Sequence, residues 1–343
     1  MLKGGIIGFG RMGLTHFSIL NTHPNVVLVA VCDSSGFILK NASRYMGIET
    51  FKDPQQMIEK VAMDFVVVTT PTAHHADIVL LAIEKGLHVF VEKPFTLNPQ
   101  QGQEILQLLQ NKVLVNQVGY VLRFNDVFMQ IKKLMDNQVL GELLTFKIET
   151  NGPTLLHDAK QSWRSRKSEG GGCLYDFASH SIDLINYLIG PPDKVVGTVF
   201  QSIHSVGVED AISSTFLYES GTRGNLLVNW SDPSYRKSAY NFEVLGRKGK
   251  LIADLHAFKI FFRETPSFDG FTEGWNQRYV TDIFEPVGFY LRGYEFTRQL
   301  DYFVDCVLQK HSNQICTFQH AFKTDMMIDN IRKSEETKEV LNG

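Results

Sequence analysis

The chain has 343 residues, which is long enough for two domains that each bury their own hydrophobic core. Its hydrophobic fraction of 43% and charged fraction of 21% are those of an ordinary soluble globular protein, and no apolar run approaches the roughly 20 residues that cross a bilayer. The formal net charge of −3 gives no positive excess, so neither nucleic acid nor a membrane surface is expected as a partner.

The first 121 residues alternate short β-branched strands with helical segments. The strand-like runs are Gly4–Gly8, Val26–Cys32, Phe65–Thr69, His88–Val91 and Val113–Val118. Amphipathic segments lie at Ala76–Lys85 and Pro99–Asn111. Continuous apolar strands separated by helices are typical of a parallel sheet that helices cover on both faces. We therefore predict a doubly wound α/β domain over residues 1–121.

The first strand runs directly into a glycine-rich turn, Gly8-Phe9-Gly10-Arg11-Met12-Gly13. In a dinucleotide-binding turn, Gly8 allows the tight bend, Gly10 lets the backbone approach a pyrophosphate, and Gly13 lets helix and strand pack closely. The N–H groups at the helix start then face the phosphates, helped by the positive end of the helix dipole. The whole turn is predicted to bind the cofactor.

The acidic residue Asp33 indicates which dinucleotide is bound. It ends the second predicted strand, where a carboxylate accepts a hydrogen bond from a ribose 2′-OH and repels a 2′-phosphate. No arginine or lysine follows immediately, although Ser34 and Ser35 leave NADP open. We expect NAD as the cofactor, with NADP possible.

Polar side chains follow the third and fourth strands, where a doubly wound sheet lines its cofactor crevice. Thr70 and Pro71 are predicted to pack on the dinucleotide with His74, although a plain helix N-terminal turn explains His74 equally well. Glu92 and Lys93 end the fourth strand, and both are predicted to contact the cofactor. A lysine beside a buried strand is suited to donate or accept protons, whereas the alternative is a solvated Glu-Lys pair.

After residue 121 the pattern changes to long alternating strands with few helices. The predicted helices are Val127–Gln138, Leu174–Ile189, Tyr294–Lys310 and Phe318–Asn342. The predicted strands are Leu143–Thr150, Lys194–Ser202, Ala211–Tyr218, Arg223–Trp230, Tyr240–Gly246 and Gly249–His256. Strands joined by hairpin-like turns indicate a mainly antiparallel sheet. The aromatic-rich segment Phe261–Glu285 gives no clear assignment.

A polar stripe lies on the otherwise apolar helix at 174–189. Asp176, His180 and Asp183 are spaced i, i+4 and i+7, which places them on one helical face. Three glycines, Gly170–Gly172, precede the helix and permit a ligand or another backbone to approach. The stripe indicates either a catalytic Asp176–His180 pair or a satisfied structural pair.

The four cysteines have no metal-ligand spacing, so we expect reduced thiols in a cytoplasmic protein and no metal site. Because the first predicted strand begins almost at Met1, we expect no signal peptide.

Taken together and in this order, these clusters resemble the glucose–fructose oxidoreductase/inositol dehydrogenase family, called Gfo/Idh/MocA. The matching pieces are Gly8–Gly13, Thr70-Pro71 with His74, Glu92-Lys93-Pro94, Arg123-Phe124, Trp163-Arg164 and Gly170–Asp183. The resemblance implies a Rossmann domain (1–121) and an α+β domain (122–343) with an open, mainly antiparallel sheet. It also implies a homodimer or homotetramer formed through that sheet. Whether the C-terminal helices pack back on the first domain stays open.

The resemblance assigns catalysis to Lys93, Asp176 and His180. It implies substrate contacts for the same three residues and for Arg123, Trp163 and Arg164, with Tyr235 a weaker candidate. Arg123 could equally close a salt bridge, and one aromatic anchoring a loop explains Trp163 equally well.

The implied activity is NAD(P)-dependent oxidation of a secondary alcohol on a small carbohydrate-like substrate: a sugar, nucleotide-sugar or cyclitol. Lysine and histidine can exchange the role of proton acceptor. A redox-neutral enzyme that holds its NAD tightly, as in glycosidic cleavage, is one alternative. A non-catalytic regulator that senses a dinucleotide is the other.

Overall fold

The computed structural model describes residues 1–153 and 163–337. Contacts between Cα atoms divide the chain into two compact units. The first contains residues 1–124 and 286–325, and the second contains residues 125–285 and the chain from 326 onward. The predicted helix Phe318–Asn342 extends past residue 337, and its last part lies outside the described residues.

The strands of the described residues are β1 (Leu2–Ile7), β2 (Val26–Cys32), β3 (Glu49–Phe51), β4 (Phe65–Val68), β5 (His88–Val91), β6 (Asn116–Val118), β7 (Leu143–Asn151), β8 (Lys194–Gln201), β9 (Ala211–Leu217), β10 (Arg223–Asn229), β11 (Ala239–Gly246), β12 (Gly249–Ala253), β13 (Ala257–Phe262) and β14 (Gly274–Tyr279). The α-helices are α1 (Arg11–Leu20), α2 (Gly36–Met46), α3 (Pro54–Lys60), α4 (His75–Glu84), α5 (Pro99–Leu109), α6 (Asp126–Asp136), α7 (Ser179–Leu188), α8 (Val280–Ile283), α9 (Tyr294–Gln309) and α10 (Phe318–Glu336). Within the described part of the chain, no helix is both long enough and apolar enough to cross a membrane.

The first unit is built on a six-stranded parallel sheet with the order β3-β2-β1-β4-β5-β6. The strand order reverses between β1 and β4, where Ile6 lies opposite Val67. In an open α/β sheet, ligands bind at such a reversal, beyond the carboxyl ends of the strands. The prediction of a doubly wound parallel sheet is confirmed. Strand β3 was not predicted, because its three residues include no buried side chain.

Both faces of this sheet are covered by apolar side chains. Val66 and Val68 belong to one hydrophobic cluster, whereas Phe65 and Val67 belong to another that includes Phe303 of α9. Successive residues of a strand point to opposite faces, so a strand that is covered on both sides is apolar throughout. This explains why β4 is completely buried and was recognisable from sequence.

The second unit contains an eight-stranded sheet with the order β14-β13-β12-β11-β7-β10-β9-β8. Its pairs are antiparallel except for β7 and β10, which run parallel. Buried and exposed residues alternate along β10 and β13, as expected when one face of a sheet packs on a core. The prediction of an open, mainly antiparallel sheet is confirmed.

Two assignments in the second unit differ from the sequence predictions. The run Gly249–His256 ends as a strand at Ala253, because the Asp254 carboxylate accepts the N–H groups of His256 and Ala257 and turns the chain. The unassigned segment contains the end of β13, all of β14 and α8. Strand β14 lies at the sheet edge and has no buried side chain, so it lacks the alternation that reveals a strand.

The helix predicted at 174–189 is not uniform. Residues Leu174–Ala178 form a π turn, and the α-helix α7 begins only at Ser179. A π turn has more residues than an α turn, so α-helical spacing does not describe side-chain directions across it.

Candidate functional site

The three glycines of the first turn have different surroundings. Gly8 has φ +90°, and a Cβ there would lie 2.7 Å from the Thr69 carbonyl carbon. A Cβ on Gly13 would lie 2.0 Å from the Gly8 oxygen. No atom of the described residues lies within 4 Å of a Cβ built on Gly10, which is exposed. Gly8 and Gly13 therefore serve close internal packing, whereas Gly10 presents bare backbone outward.

Helix α1 begins at this open backbone. Its N-cap is Gly10, which lacks a capping side chain, and its first turn contains no acidic residue. The first N–H groups of a helix have no partners within the helix and carry its partial positive charge. The exposed Arg11 adds a full positive charge at the same end. An anion such as a phosphate fits this helix start.

Asp33 is held in place by backbone donors. The Phe9 N–H donates to its Oδ2 at 2.7 Å, and the Ser35 N–H donates to its Oδ1 at 2.8 Å. The Phe9 ring turns inward and packs edge-on against Phe17. The partly exposed Asp33 carboxylate is thereby fixed beside the glycine turn, in the position that suits a ribose hydroxyl.

The loop after β4 contains Thr70 and Pro71, and both are partly exposed. The Thr70 hydroxyl oxygen is enclosed and has no hydrogen-bond partner among the residues that the structure describes. Enclosed hydroxyls normally form hydrogen bonds, so this oxygen is suited to a bound ligand. The Thr70 hydroxyl, the exposed Gly10 backbone and the uncapped start of α1 are together suited to bind a dinucleotide.

Of the two adjacent histidines, His74 is exposed and His75 is buried. The His75 ring nitrogens lie 2.9 Å from the Thr70 carbonyl and 2.9 Å from the Pro94 carbonyl, so the ring bridges the loops after β4 and β5. Burial lowers the pKa of His75, although both carbonyls favour its charged form. Sequence reasoning missed this role, yet His75 shares a helical face with the buried Val79 and Ala82 of α4, which is a readable signal.

Glu92 and Lys93 directly follow β5, and the Glu92 carboxylate contacts a buried histidine. The Glu92 Oε1 lies 2.6 Å from Nε2 of His16 in α1, and both residues are buried. Burial alone would raise the pKa of Glu92, but the hydrogen bond and charge of His16, together with the Lys93 charge, lower it overall. The Lys93 N–H donates to Glu92 Oε2 at 3.2 Å, and its side chain is partly exposed. The structure thus brings Lys93 and the glycine-turn helix into one unit. His16 was not predicted.

Arg123, which the sequence associates with substrate, is buried in the first unit. It lies in the 3₁₀ turn Val121–Phe124 and donates from Nη1 to the Ile315 carbonyl at 2.6 Å. Its predicted contact with substrate stays a prediction.

The second unit contains the remaining predicted site residues. The carboxylate of Asp176 lies in the π turn and accepts a hydrogen bond from Arg164 Nε at 2.7 Å. The Arg164 guanidinium lies 4.8 Å from the centre of the Trp163 ring. The structure therefore brings Trp163, Arg164 and Asp176 together. Because the π turn breaks the α-helical spacing, the pairing of Asp176 with His180 stays a prediction.

The glycines before the π turn allow backbone to approach backbone. A Cβ on Gly171 would lie 2.4 Å from the Arg164 carbonyl oxygen, and one on Gly172 would lie 2.4 Å from Glu209 Oε1. The Gly172 N–H donates to the Arg164 carbonyl at 3.0 Å. This close packing positions Arg164, which binds Asp176. The sequence left open whether a ligand or another backbone segment approaches the glycines, and here another backbone segment does.

His180 lies in the first turn of α7 and is partly exposed. Its ring packs edge-on against Tyr240, with 6.4 Å between ring centres. Burial, reinforced by the Asp176 charge, raises the pKa of Tyr240, so this phenol stays neutral. Asp183 is buried, and Tyr235 is partly exposed in the loop after β10.

The buried thiol of Cys173 is chemically protected. Burial and the charges of Glu209 and Asp176 raise its pKa well above the ordinary value. A thiol that stays protonated is a poor nucleophile and a poor metal ligand. In residues 1–153 and 163–337, no three His, Cys, Asp or Glu side chains are grouped so that they could hold a metal ion.

Family models match both halves of the chain. Residues 2–120 match the model described as an oxidoreductase family with an NAD-binding Rossmann fold. Residues 128–252 match the model described as the GFO/IDH/MocA C-terminal domain.

Individual relatives agree with these matches. The scyllo-inositol 2-dehydrogenase (NAD(+)) of Bacillus subtilis is 27% identical over 73% of this chain and 73% of its own. The myo-inositol 2-dehydrogenase of Thermotoga maritima is 26% identical over 74% of this chain and 75% of its own. Among solved structures, a levoglucosan dehydrogenase in complex with NADH and levoglucosan has a TM-score of 0.83 at 21% identity. It covers 98% of this chain and 97% of its own, which supports the same fold.

Proposed function

Because this chain belongs to the Gfo/Idh/MocA family of NAD-binding oxidoreductases, we propose that it oxidises a secondary alcohol of a sugar, nucleotide-sugar or cyclitol, reversibly and with NAD. The observation that carries the proposal is the open Gly10 backbone at the uncapped start of α1, with the fixed Asp33 carboxylate beside it. The names of the two inositol dehydrogenases support a ring that bears secondary hydroxyls as the substrate class. The first compact unit, residues 1–124 and 286–325, then forms the dinucleotide-binding domain, and the second unit, residues 125–285 with the chain from 326 onward, forms the substrate-binding and oligomerisation domain.

A bound dinucleotide would supply the hydride acceptor, its nicotinamide ring. The protein supplies the positions of the phosphates and ribose. The glycine turn from Gly8 to Gly13 binds the pyrophosphate through its N–H groups, and Asp33 accepts a hydrogen bond from the ribose 2′-OH. Thr70, Pro71 and His74 line the same cofactor, and Glu92 keeps the end of β5 in place through His16.

Lys93 and His180 carry out the proton transfer. One of them accepts the hydroxyl proton, and the other donates a hydrogen bond to the same oxygen as negative charge develops on it. Asp176 orients the imidazole and is itself fixed by Arg164. Arg123, Trp163, Arg164 and Tyr235 contact the carbohydrate.

A screen of inositols, glucosides and nucleotide-sugars for NADH formation at 340 nm tests the proposal. With the best substrate, K93M and H180N should each lower kcat/KM by roughly 100-fold or more, because positioned acid–base groups contribute about 10²–10⁴-fold. The exposed Lys85 and His311 offer matched controls, and K85M and H311N should keep the wild-type rate. Wild-type rates in both K93M and H180N would refute the proposed roles.

We further propose that the protein forms a homodimer or homotetramer through the exposed face of the eight-stranded sheet. Leu227, Ile252 and Trp275 are 39%, 38% and 58% exposed on β10, β12 and β14, so these apolar side chains are available to a second copy of the chain. Light scattering should give a dimer or tetramer for the wild type and a smaller species for L227K. A monomeric wild type would refute this assembly.

A further inference from the structure

A cation from a distant part of the chain lies beside the glycine turn. Arg292 precedes α9, and its Nη1 donates to Met12 Sδ at 3.5 Å across a separation of 280 residues. Its guanidinium also lies 5.2 Å from the centre of the Phe296 ring. Two contacts therefore hold this side chain beside the first turn of α1, although Arg292 itself is exposed.

The backbone at Arg292 adopts an unfavourable conformation. Its φ is +65°, in the left-handed region where a side chain is disfavoured and glycine is the usual residue. The next residue, Gly293, has φ +135° and supplies the flexibility that the turn needs. A strained position that nevertheless carries a long cationic side chain suggests that the side chain has a use there.

The charges around Arg292 are those of an anion site. Desolvation of the guanidinium by the surrounding protein and the neighbouring Arg11 charge lower the pKa of Arg292, while Glu92 opposes this shift. Glu92 is already paired with His16, so it cannot neutralise both guanidinium groups. The positive end of α1 adds to the same field. An anion bound here would relieve the repulsion between Arg11 and Arg292.

We propose that Arg292 and Arg11 together clamp the pyrophosphate of the dinucleotide at the start of α1. The inference rests on the proposed function, because it assigns two arginines to the cofactor of that same site. A pyrophosphate carries two negative charges, and arginine offers several N–H donors in a fixed plane. NAD and NADP share the pyrophosphate and differ only at the 2′ position, which Asp33 would contact. The clamp therefore holds NAD and NADP equally.

The test is a calorimetric titration of R292A, R292G and the wild type with NADH, ADP-ribose and adenosine. R292A should bind NADH and ADP-ribose roughly 10- to 100-fold more weakly than the wild type, as expected when charge-assisted hydrogen bonds are lost. Adenosine has no pyrophosphate, and its affinity should not change. K310A is the matched control, because Lys310 is also an exposed cation at positive φ, but at the far end of α9.

R292G separates a binding role from a structural one. Glycine relaxes the strained backbone, so R292G should keep or raise Tm while losing the same affinity as R292A. Unchanged NADH affinity in R292A, or an equal loss for adenosine, would overturn the clamp while leaving the proposed function standing. If the wild type bound no NADH at all, the proposed function would fail and the clamp with it.

Discussion

The substitution G10A separates cofactor binding from folding. Gly10 has φ −72° and ψ −160°, an extended conformation that alanine also adopts. A methyl group at this position would meet no atom of the described residues within 4 Å. The added methyl therefore lies in open space in the folded protein and occupies only the approach that we assign to a pyrophosphate.

Stability should change little. Alanine is a poorer N-cap than glycine, which lowers the free energy of unfolding by about 1 kcal/mol. Alanine also reduces the entropy of the unfolded chain, which raises the free energy of unfolding by about 0.4–1 kcal/mol. Binding should suffer much more. Displacing the pyrophosphate from two backbone N–H groups removes charge-assisted hydrogen bonds worth about 1.5 kcal/mol each, which together correspond to roughly 100-fold in Kd.

The assay is a fluorescence titration with NADH, accompanied by thermal unfolding. G10A should bind about 100-fold more weakly than the wild type, with a Tm within about 4 °C of it. Gly288 is also exposed, has no positive φ and has open space around its Cα, so G288A should change neither quantity. Wild-type affinity in G10A would refute the assignment of this backbone to the pyrophosphate.

Three further predictions concern carboxylates. D33A should shift the ratio of NADH to NADPH affinity toward NADPH by about 10-fold or more, because the charge that repels a 2′-phosphate is removed. D210N should lose a stabilising contribution on the order of 1 kcal/mol at pH 7, since hydrogen bonds from Trp230 and three backbone N–H groups outweigh the effect of burial and lower the pKa of Asp210 from 3.8 to about 2. That contribution is present above about pH 4 and is lost as pH falls toward 2. E209Q should be neutral or stabilising at pH 7, because burial raises the pKa of Glu209 and its ionised form opposes folding above the ordinary carboxyl pKa, while glutamine can still accept the Leu174 N–H.

Paired measurements check these outcomes. Titrations of D33A with both reduced cofactors give the ratio, and an unchanged ratio would contradict the role of Asp33. Urea unfolding of D210N and E209Q at pH 7 and pH 3 gives the change in the free energy of unfolding that each substitution causes. A similar loss in both variants at pH 7 would contradict the opposite signs derived for these adjacent side chains.

The Rossmann half could be predicted from the sequence because short stretches of consecutive residues determine its strands and its glycine turn. The spacing of Gly8, Gly10 and Gly13 after an apolar strand, with Asp33 at the end of the next strand, predicts the turn, and the completely apolar β4 reveals a strand covered on both faces. The amphipathic segment predicted at Pro99–Asn111 likewise matches α5, which begins at the same proline.

Features that depend on contacts between residues far apart in the sequence could not be predicted from it. The π turn at Leu174–Ala178 follows a glycine segment packed against Arg164 and Glu209, and a search for 3.6-residue periodicity cannot detect it. The pairing of His16 with Glu92 joins residues 76 positions apart, and Arg292 reaches Met12 across 280 positions. No local pattern in the sequence marks such contacts.

Direct hydride transfer is the central claim, and isotope labelling tests it most directly. The best substrate from the screen is prepared with deuterium on the carbinol carbon and incubated with NAD⁺ and the enzyme. Direct hydride transfer predicts that the deuterium is recovered on nicotinamide C4, one atom for each NADH formed. Deuterium released to water, or product formed without any labelled NADH, would contradict it and favour a redox-neutral reaction.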